Sequence, residues 1–153
     1  MPSPLPVSRP NSPAKARSYE LPAISGSESV GIVRYLMALD NPDARIIQAV
    51  KGAADWLKNS KLVGIAAERK DDPALPKGYD RVVVKDPNAP PLWARFYDIE
   101  TNRPMFVGRD GIVKNSLAEI EYERRNGYSY LGTYATKLLA EEYPTWKKQW
   151  HIE

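Results

Sequence analysis

Residues 25–57 read SGSESVGIVRYLMALDNPDARIIQAVKGAADWL, and the order of apolar and polar residues along them decides the first architectural element. Ser25-Gly26-Ser27-Glu28 has the spacing of a capping box, a Ser at the cap and a Glu three residues on, directly before Val30, Val33, Leu36 and Met37. That predicts a helix over 27–39. Asp40-Asn41-Pro42-Asp43 then stops it and starts another, with Asn41 as cap and Pro42 at the first helical position, where a missing N–H costs nothing. Ile46, Ile47, Val50, Ala53, Ala54 and Leu57 recur at helical spacing on one stripe. Two such helices, joined by about four residues, are expected to lie antiparallel and bury their stripes against each other or a third layer.

Towards the C-terminus the pattern changes. Residues 61–69 and 81–85 (Arg-Val-Val-Val-Lys) are short and β-branched, separated by a charged, Pro-bearing loop, and predict a β-ribbon. Asp86-Pro87-Asn88-Ala89-Pro90-Pro91 is a rigid turn, because each proline fixes φ and pushes its predecessor out of the α region. Residues 116–125 read as a charged helix ended by Asn126-Gly127, and residues 133–143 as a last helix stopped by Pro144. Trp146 and Trp150 stand four apart, on one face if helical.

Towards the N-terminus, residues 1–22 hold six prolines and no periodicity, which rules out a helix ladder or a central strand and predicts an extended arm. Residues 1–15 form its proline-rich part. Residues 1–12 lack the charged region followed by an apolar region that marks an export signal. No apolar run approaches the roughly 18 residues of a membrane span, so no membrane partner is expected.

Composition narrows the chemistry. The 153 residues suit one core. With no cysteine, disulfides, thiolate metal sites and a Cys nucleophile are excluded, and His151 as the only histidine leaves a Ser-His pair or a two-His metal site without its parts. A net charge of +3 suits an acidic ligand but falls short of a nucleic-acid-binding signature. The carboxylates sit mostly beside Lys or Arg or on the 116–125 segment, where they read as a solvated face. No Asp-x-Asp calcium loop and no Gly-rich phosphate cradle is present.

What remains is aromatic and basic. Leu92-Trp93-Ala94-Arg95-Phe96-Tyr97-Asp98 is followed by Thr101-Asn102-Arg103-Pro104 and Gly108-Arg109-Asp110-Gly111, which sets Arg103 and Arg109 on loops near Trp93, Arg95 and Tyr97. Guanidinium forks bind carboxylates through two bonds, and aromatic faces form platforms for sugar rings, so the functional reading is an anionic-saccharide or polyanion site. The alternative is that Arg109-Asp110 is a local ion pair and Trp93, Phe96 and Tyr97 fill core.

Seven segments, in order, resemble the C-terminal part of the family-10 pectate lyases: 16–22 (ARSYELP), 27–33 (SESVGIV), 87–97 (PNAPPLWARFY), 101–104 (TNRP), 108–111 (GRDG), 122–128 (YERRNGY) and 143–147 (YPTWK). The resemblance covers nearly all of the chain beyond residue 15, whereas a family member's catalytic module is longer. It implies that residues 16–153 are the C-terminal part of a pectate lyase-like domain: mainly α, an incomplete (α/α) toroid-like helical module with a short β-ribbon and an extended N-terminal arm. Exposed apolar surface on the helical hairpin, with self-association as its consequence, is then expected.

The same resemblance implies calcium-assisted β-elimination of polygalacturonate by a partial enzyme, with an inactive oligogalacturonate-binding remnant as the alternative. The proton removed lies α to the C6 carboxyl, so charge developing on that carboxyl sets the barrier, and a cation or an Arg beside it lowers the cost. By resemblance Arg17 is the base and Arg103 pairs with the substrate carboxylate. Asn102, Arg109, Trp93, Arg95 and Tyr97, from the aromatic and basic segments read above, complete the candidate substrate-binding set. The family's calcium ligands lie in its N-terminal half, so none is expected in this chain. The resemblance also implies a secreted or periplasmic protein.

Overall fold

The computed structural model describes residues 23–153; the arm over 1–15 and Arg17 lie outside the described residues. Strand β1 (Ala23–Ser25) leads directly into helix α1 (Gly26–Met37), whose cap is Ser25: its hydroxyl accepts the Glu28 N–H at 3.4 Å. Helix α2 spans Ala44–Ser60. Its cap is Asp43, whose Oδ1 accepts the Ile46 N–H at 2.9 Å, and not the expected Asn41. Asn41 instead takes a left-handed φ of 48°, a conformation that its short polar side chain tolerates, and so turns the chain out of α1.

The two helices pack as the stripes require. Val30 and Val33 of α1 meet Val50, Ala54 and Leu57 of α2 in a buried cluster that also holds Trp93, Leu138, Tyr143 and Trp146. Each fully buried Val or Leu contributes about 1.5–3 kcal/mol. On the outer face of α1, Ile32 and Tyr35 are exposed.

The expectation of a mainly α, toroid-like module is not met. Among the described residues, eight short strands, one ahead of α1 and seven between α2 and the C-terminal helix, form four two-stranded antiparallel sheets, and the architecture is mixed α and β. The cause is local. Between residues 61 and 132 the sequence offers short β-branched or aromatic runs broken by Pro, Gly and Asp-led turns, so no helical stripe long enough to close a ring can form. The largest sheet is the expected ribbon, β2 (Ile65–Asp71) against β3 (Tyr79–Lys85), with Arg69 opposite Arg81. Strand β4 (Trp93–Ala94) pairs with β8 (Leu131–Gly132), and β5 (Phe96–Asp98) with β1. Strands β6 (Phe106–Val107) and β7 (Val113–Lys114) complete the set.

Two further helices differ from expectation. The 116–125 segment splits into a 3-10 turn (Leu117–Glu119) and helix α3 (Tyr122–Gly127). Glu119 Oε2 folds back to accept the Asn115 and Ser116 N–H groups, and Ile120 and Glu121 are extended, so the ladder is interrupted there. Pro144, expected to stop the last helix, sits inside it. A π-helical turn (Leu138–Glu142) precedes α4 (Tyr143–Gln149), and the Thr145 hydroxyl donates to the Glu141 carbonyl at 2.8 Å. The widened turn makes room for a residue that has no N–H to give, so the helix passes through the proline.

Candidate functional site

The site grows from the loop after β5. The Asp98 carboxylate accepts the Glu100 and Thr101 N–H groups, each at 2.8 Å, and these bonds, Thr101 first, hold its pKa below the usual carboxylate range. The Asp98 N–H donates to the Arg103 carbonyl at 2.8 Å, and the Asn102 N–H donates to the Asp98 carbonyl at 2.9 Å, closing a tight turn. Asn102 has φ 56°, and its side chain fastens the turn to α2: Oδ1 accepts the Trp56 indole N–H, and Nδ2 donates to Ser60 Oγ, both at 2.9 Å. Asn102 therefore acts by holding the loop.

Arg103, the next residue, is exposed at the tip of this fastened turn. Among the described residues its guanidinium has no carboxylate partner. Arg103 borders a cavity of about 830 Å³, together with Arg81 of β3, Asp80, Arg125, Phe106 and Leu117. The floor is apolar, while the charged lining is three arginines and one aspartate.

Of those three arginines, Arg125 is neutralised. Its Nε and Nη2 donate to the two Asp80 oxygens at 2.8 and 2.7 Å, and Asn126 Nδ2 adds a bond of 2.8 Å to Asp80 Oδ1. The Arg125 guanidinium is the main reason the Asp80 pKa falls to about 2. Asn126 also accepts the Arg81 backbone N–H at 2.6 Å, which fixes the start of β3 against α3 while leaving the Arg81 side chain out of the network. Like Arg103, Arg81 has no carboxylate partner among the described residues. In the sequence alone Arg81 reads only as a strand residue. Its position next to Asp80, in a ribbon otherwise carrying Val82 to Val84, was the signal available.

The other candidates sit elsewhere or serve packing. Trp93 is 2% exposed, and its indole N–H donates to the Leu57 carbonyl at 2.8 Å; Tyr97 is fully buried, accepting the Ala94 N–H and donating to the Ser60 carbonyl, both at 2.9 Å. Burial raises the pKa of the Tyr97 hydroxyl. Neither ring offers a face to a sugar, so the expectation of aromatic platforms at Trp93 and Tyr97 is corrected: both fill core. Arg95 lies 4.3 Å from the centroid of the Tyr128 ring. Arg109 donates to Glu123 Oε1 at 2.8 Å rather than pairing with Asp110, which binds Lys114 at 3.1 Å. Arg17 lies outside the described residues.

For a calcium ion the described residues are a poor fit. No three of their His, Asp or Glu side chains converge on a point, and Asp80, Asp98 and Asp110 are already engaged by Arg125, by backbone N–H groups and by Lys114. No described helix is long and apolar enough to cross a membrane.

The family model described as pectic acid lyase matches residues 9–139 of this chain. Two solved structures are similar to it. One is a mutant of the family 10 polysaccharide lyase from Cellvibrio cellulosa in complex with trigalacturonic acid, at 34% identity and TM-score 0.68, covering 90% of this chain and 40% of that one. The other is the family 10 polysaccharide lyase from the same organism, at 34% identity and TM-score 0.69, covering 92% of this chain and 40% of that one. No curated protein matches. The chain spans about 40% of the length of these solved relatives. It belongs to the pectic acid lyase family.

Proposed function

We propose, with that family membership as the premise, that the chain takes part in the β-elimination of a polygalacturonate, with Arg103 binding the carboxylate of the uronate that loses its proton. The observation that carries the reading is the Arg103 guanidinium itself. It is exposed, free of carboxylate partners among the described residues, set at a cavity, and held on a turn bonded to both β5 and α2. A fork that no acid among the described residues neutralises is ready for an external one.

In the reaction, a base takes the proton α to the C6 carboxyl, the electron pair forms the C4–C5 double bond, and the C4–O glycosidic bond breaks, its oxygen leaving with a proton. Negative charge grows on the carboxylate as the C–H bond breaks, so a bidentate guanidinium holds the transition state more tightly than the ground state. Arg17 is the proposed base, on its resemblance to the family arginine. A guanidinium is ordinarily protonated, so this role requires cationic or desolvating surroundings that lower its pKa. Any calcium that the reaction takes has its ligands outside the described residues. A polymer of this kind is met outside the cell, which is where the proposed reaction would run.

A second reading, binding of oligogalacturonate without turnover, is favoured by the lack of a calcium-type acid cluster among the described residues. The two separate in one experiment: polygalacturonate and calcium are incubated with the protein while ultraviolet absorbance of unsaturated uronides is followed, and trigalacturonate binding is titrated in parallel. A rise in absorbance supports the lyase, and binding without a rise supports the second reading. Absence of both removes the proposal.

A further inference from the structure

We infer that Arg81 of β3 is a second carboxylate-binding residue, so that the cavity between the ribbon and the Arg103 turn grips two uronates of one chain at once. The inference rests on the reading of Arg103 given above and extends it to a residue that the reading does not use.

Charge counting in the cavity leads to it. The charged lining consists of Asp80, Arg81, Arg103 and Arg125. Asp80 and Arg125 cancel each other through two hydrogen bonds of 2.8 and 2.7 Å. Two guanidinium groups remain, Arg81 and Arg103, neither with a carboxylate partner among the described residues. The two residues line the cavity from different elements, one from a strand and the other from a turn, which suits two separate anionic groups better than a single one. A ligand with one carboxylate would engage only one of these two cations.

The rest of the lining fits a saccharide. Phe106, Leu117, Val82 and Pro104 supply apolar surface for ring C–H faces. At about 830 Å³ the cavity lies in the upper part of the range of about 300–1,000 Å³ usual for ligand sites, with room for more than one sugar ring. Polygalacturonate carries one carboxylate on each ring, so consecutive or near-consecutive rings present anions at a regular repeat. Arg81 is also free to bind: its backbone N–H, not its side chain, holds the bond to Asn126. The ribbon therefore keeps its geometry whatever the guanidinium does.

The experiment titrates trigalacturonate and monomeric galacturonate into the wild-type chain and into Arg81→Ala, Arg81→Lys, Arg103→Ala and Lys148→Ala. Lys148 is exposed on α4, away from this cavity, and its replacement removes the same unit of charge. Expected for Arg81→Ala is about a tenfold loss of trigalacturonate affinity with monomer affinity within about twofold of wild type. Arg81→Lys should recover part of the loss, because the charge returns without the fork, and Lys148→Ala should change little. Binding by the wild type that Arg103→Ala weakens and Arg81→Ala does not would overturn this inference and leave the Arg103 reading standing. Equal losses in Arg81→Ala and Lys148→Ala would overturn it as a general charge effect. No wild-type binding of trigalacturonate would remove both readings together. Far-ultraviolet circular dichroism of each variant checks that the fold is kept, and Arg81→Lys, which retains the long side chain, tests the inference if Arg81→Ala unfolds.

Discussion

Asp80 and Arg125 join β3 to α3 through a two-pronged pair, 2.8 Å from Nε to Oδ1 and 2.7 Å from Nη2 to Oδ2, with both side chains about one-fifth exposed. Arg125 Nη1 also donates to the Ile120 carbonyl at 2.8 Å, and the Tyr122 hydroxyl donates to the Tyr79 carbonyl at 2.5 Å. The ribbon, a two-stranded sheet with one strand largely exposed, owes its fixed position to these bonds. The cavity wall that carries Arg81 is thus set by this pair.

Asp80→Asn should lower stability by about 1–2 kcal/mol at neutral pH, read as a fall in melting temperature of about 2–8 °C. Because the folded-state pKa is depressed to about 2, the carboxylate stabilises the fold fully above the ordinary value of 3.8, and the contribution fades as pH falls towards 2. The gap in melting temperature between wild type and Asp80→Asn should therefore close between pH 4 and pH 2. A gap that stays constant with pH would show that the ion pair is not its source.

Asn102 is predicted to hold the Arg103 turn rather than to touch substrate. Asn102→Ala removes the bonds to Trp56 and Ser60 and leaves at φ 56° a residue that tolerates the left-handed region less well than asparagine, for a loss of about 2–3 kcal/mol. Asn102→Gly removes the strain but not the missing bonds, so it should regain part of the stability and little of the trigalacturonate affinity. Wild-type affinity in Asn102→Gly would mean that the fastening to α2 does not position Arg103.

Trp93→Phe separates core from platform. Loss of the indole N–H leaves the buried Leu57 carbonyl without its donor and opens space beside Leu57, at a cost of about 1–3 kcal/mol. Melting temperature should fall while trigalacturonate affinity stays at the wild-type value. A selective loss of affinity, with melting unchanged, would return Trp93 to the binding surface.

Much of this molecule is legible in its sequence where a single physical rule dominates. The Ser25 cap and the stripe of Val50, Ala54 and Leu57 depend on local spacing, and helices α1 and α2 follow from them. The ribbon is legible too, because Val82, Val83 and Val84 favour a pleated strand. The interruption at Ile120 and Glu121 is not, since it depends on Glu119 turning back to Asn115 and Ser116, and the same charged residues also suit a continuous helix. Pro144 misleads for a related reason: its missing N–H stops a regular helix, but a π-helical turn accommodates it.

The site divides in the same way. Arg103 and Asn102 are singled out by the loop chemistry of Thr101-Asn102-Arg103-Pro104, and the structure shows what the motif does, in the turn closed by Asp98. Trp93 and Tyr97 share the aromatic-basic composition of a sugar platform, yet their polar atoms are bonded to Leu57, Ala94 and Ser60 deep in the core. Composition alone does not tell a ring facing a ligand from a ring facing Leu57. Arg81 escapes notice because its significance lies in what Asp80 does with Arg125, a pairing of residues 45 apart in sequence.

The most direct test is calorimetric titration of trigalacturonate into wild type and Arg103→Lys at low salt, where exposed charge interactions are least screened. The account predicts that the lysine variant keeps its fold and binds about tenfold more weakly, because an ammonium supplies the charge without the bidentate fork. Equal affinity of the two proteins would contradict it.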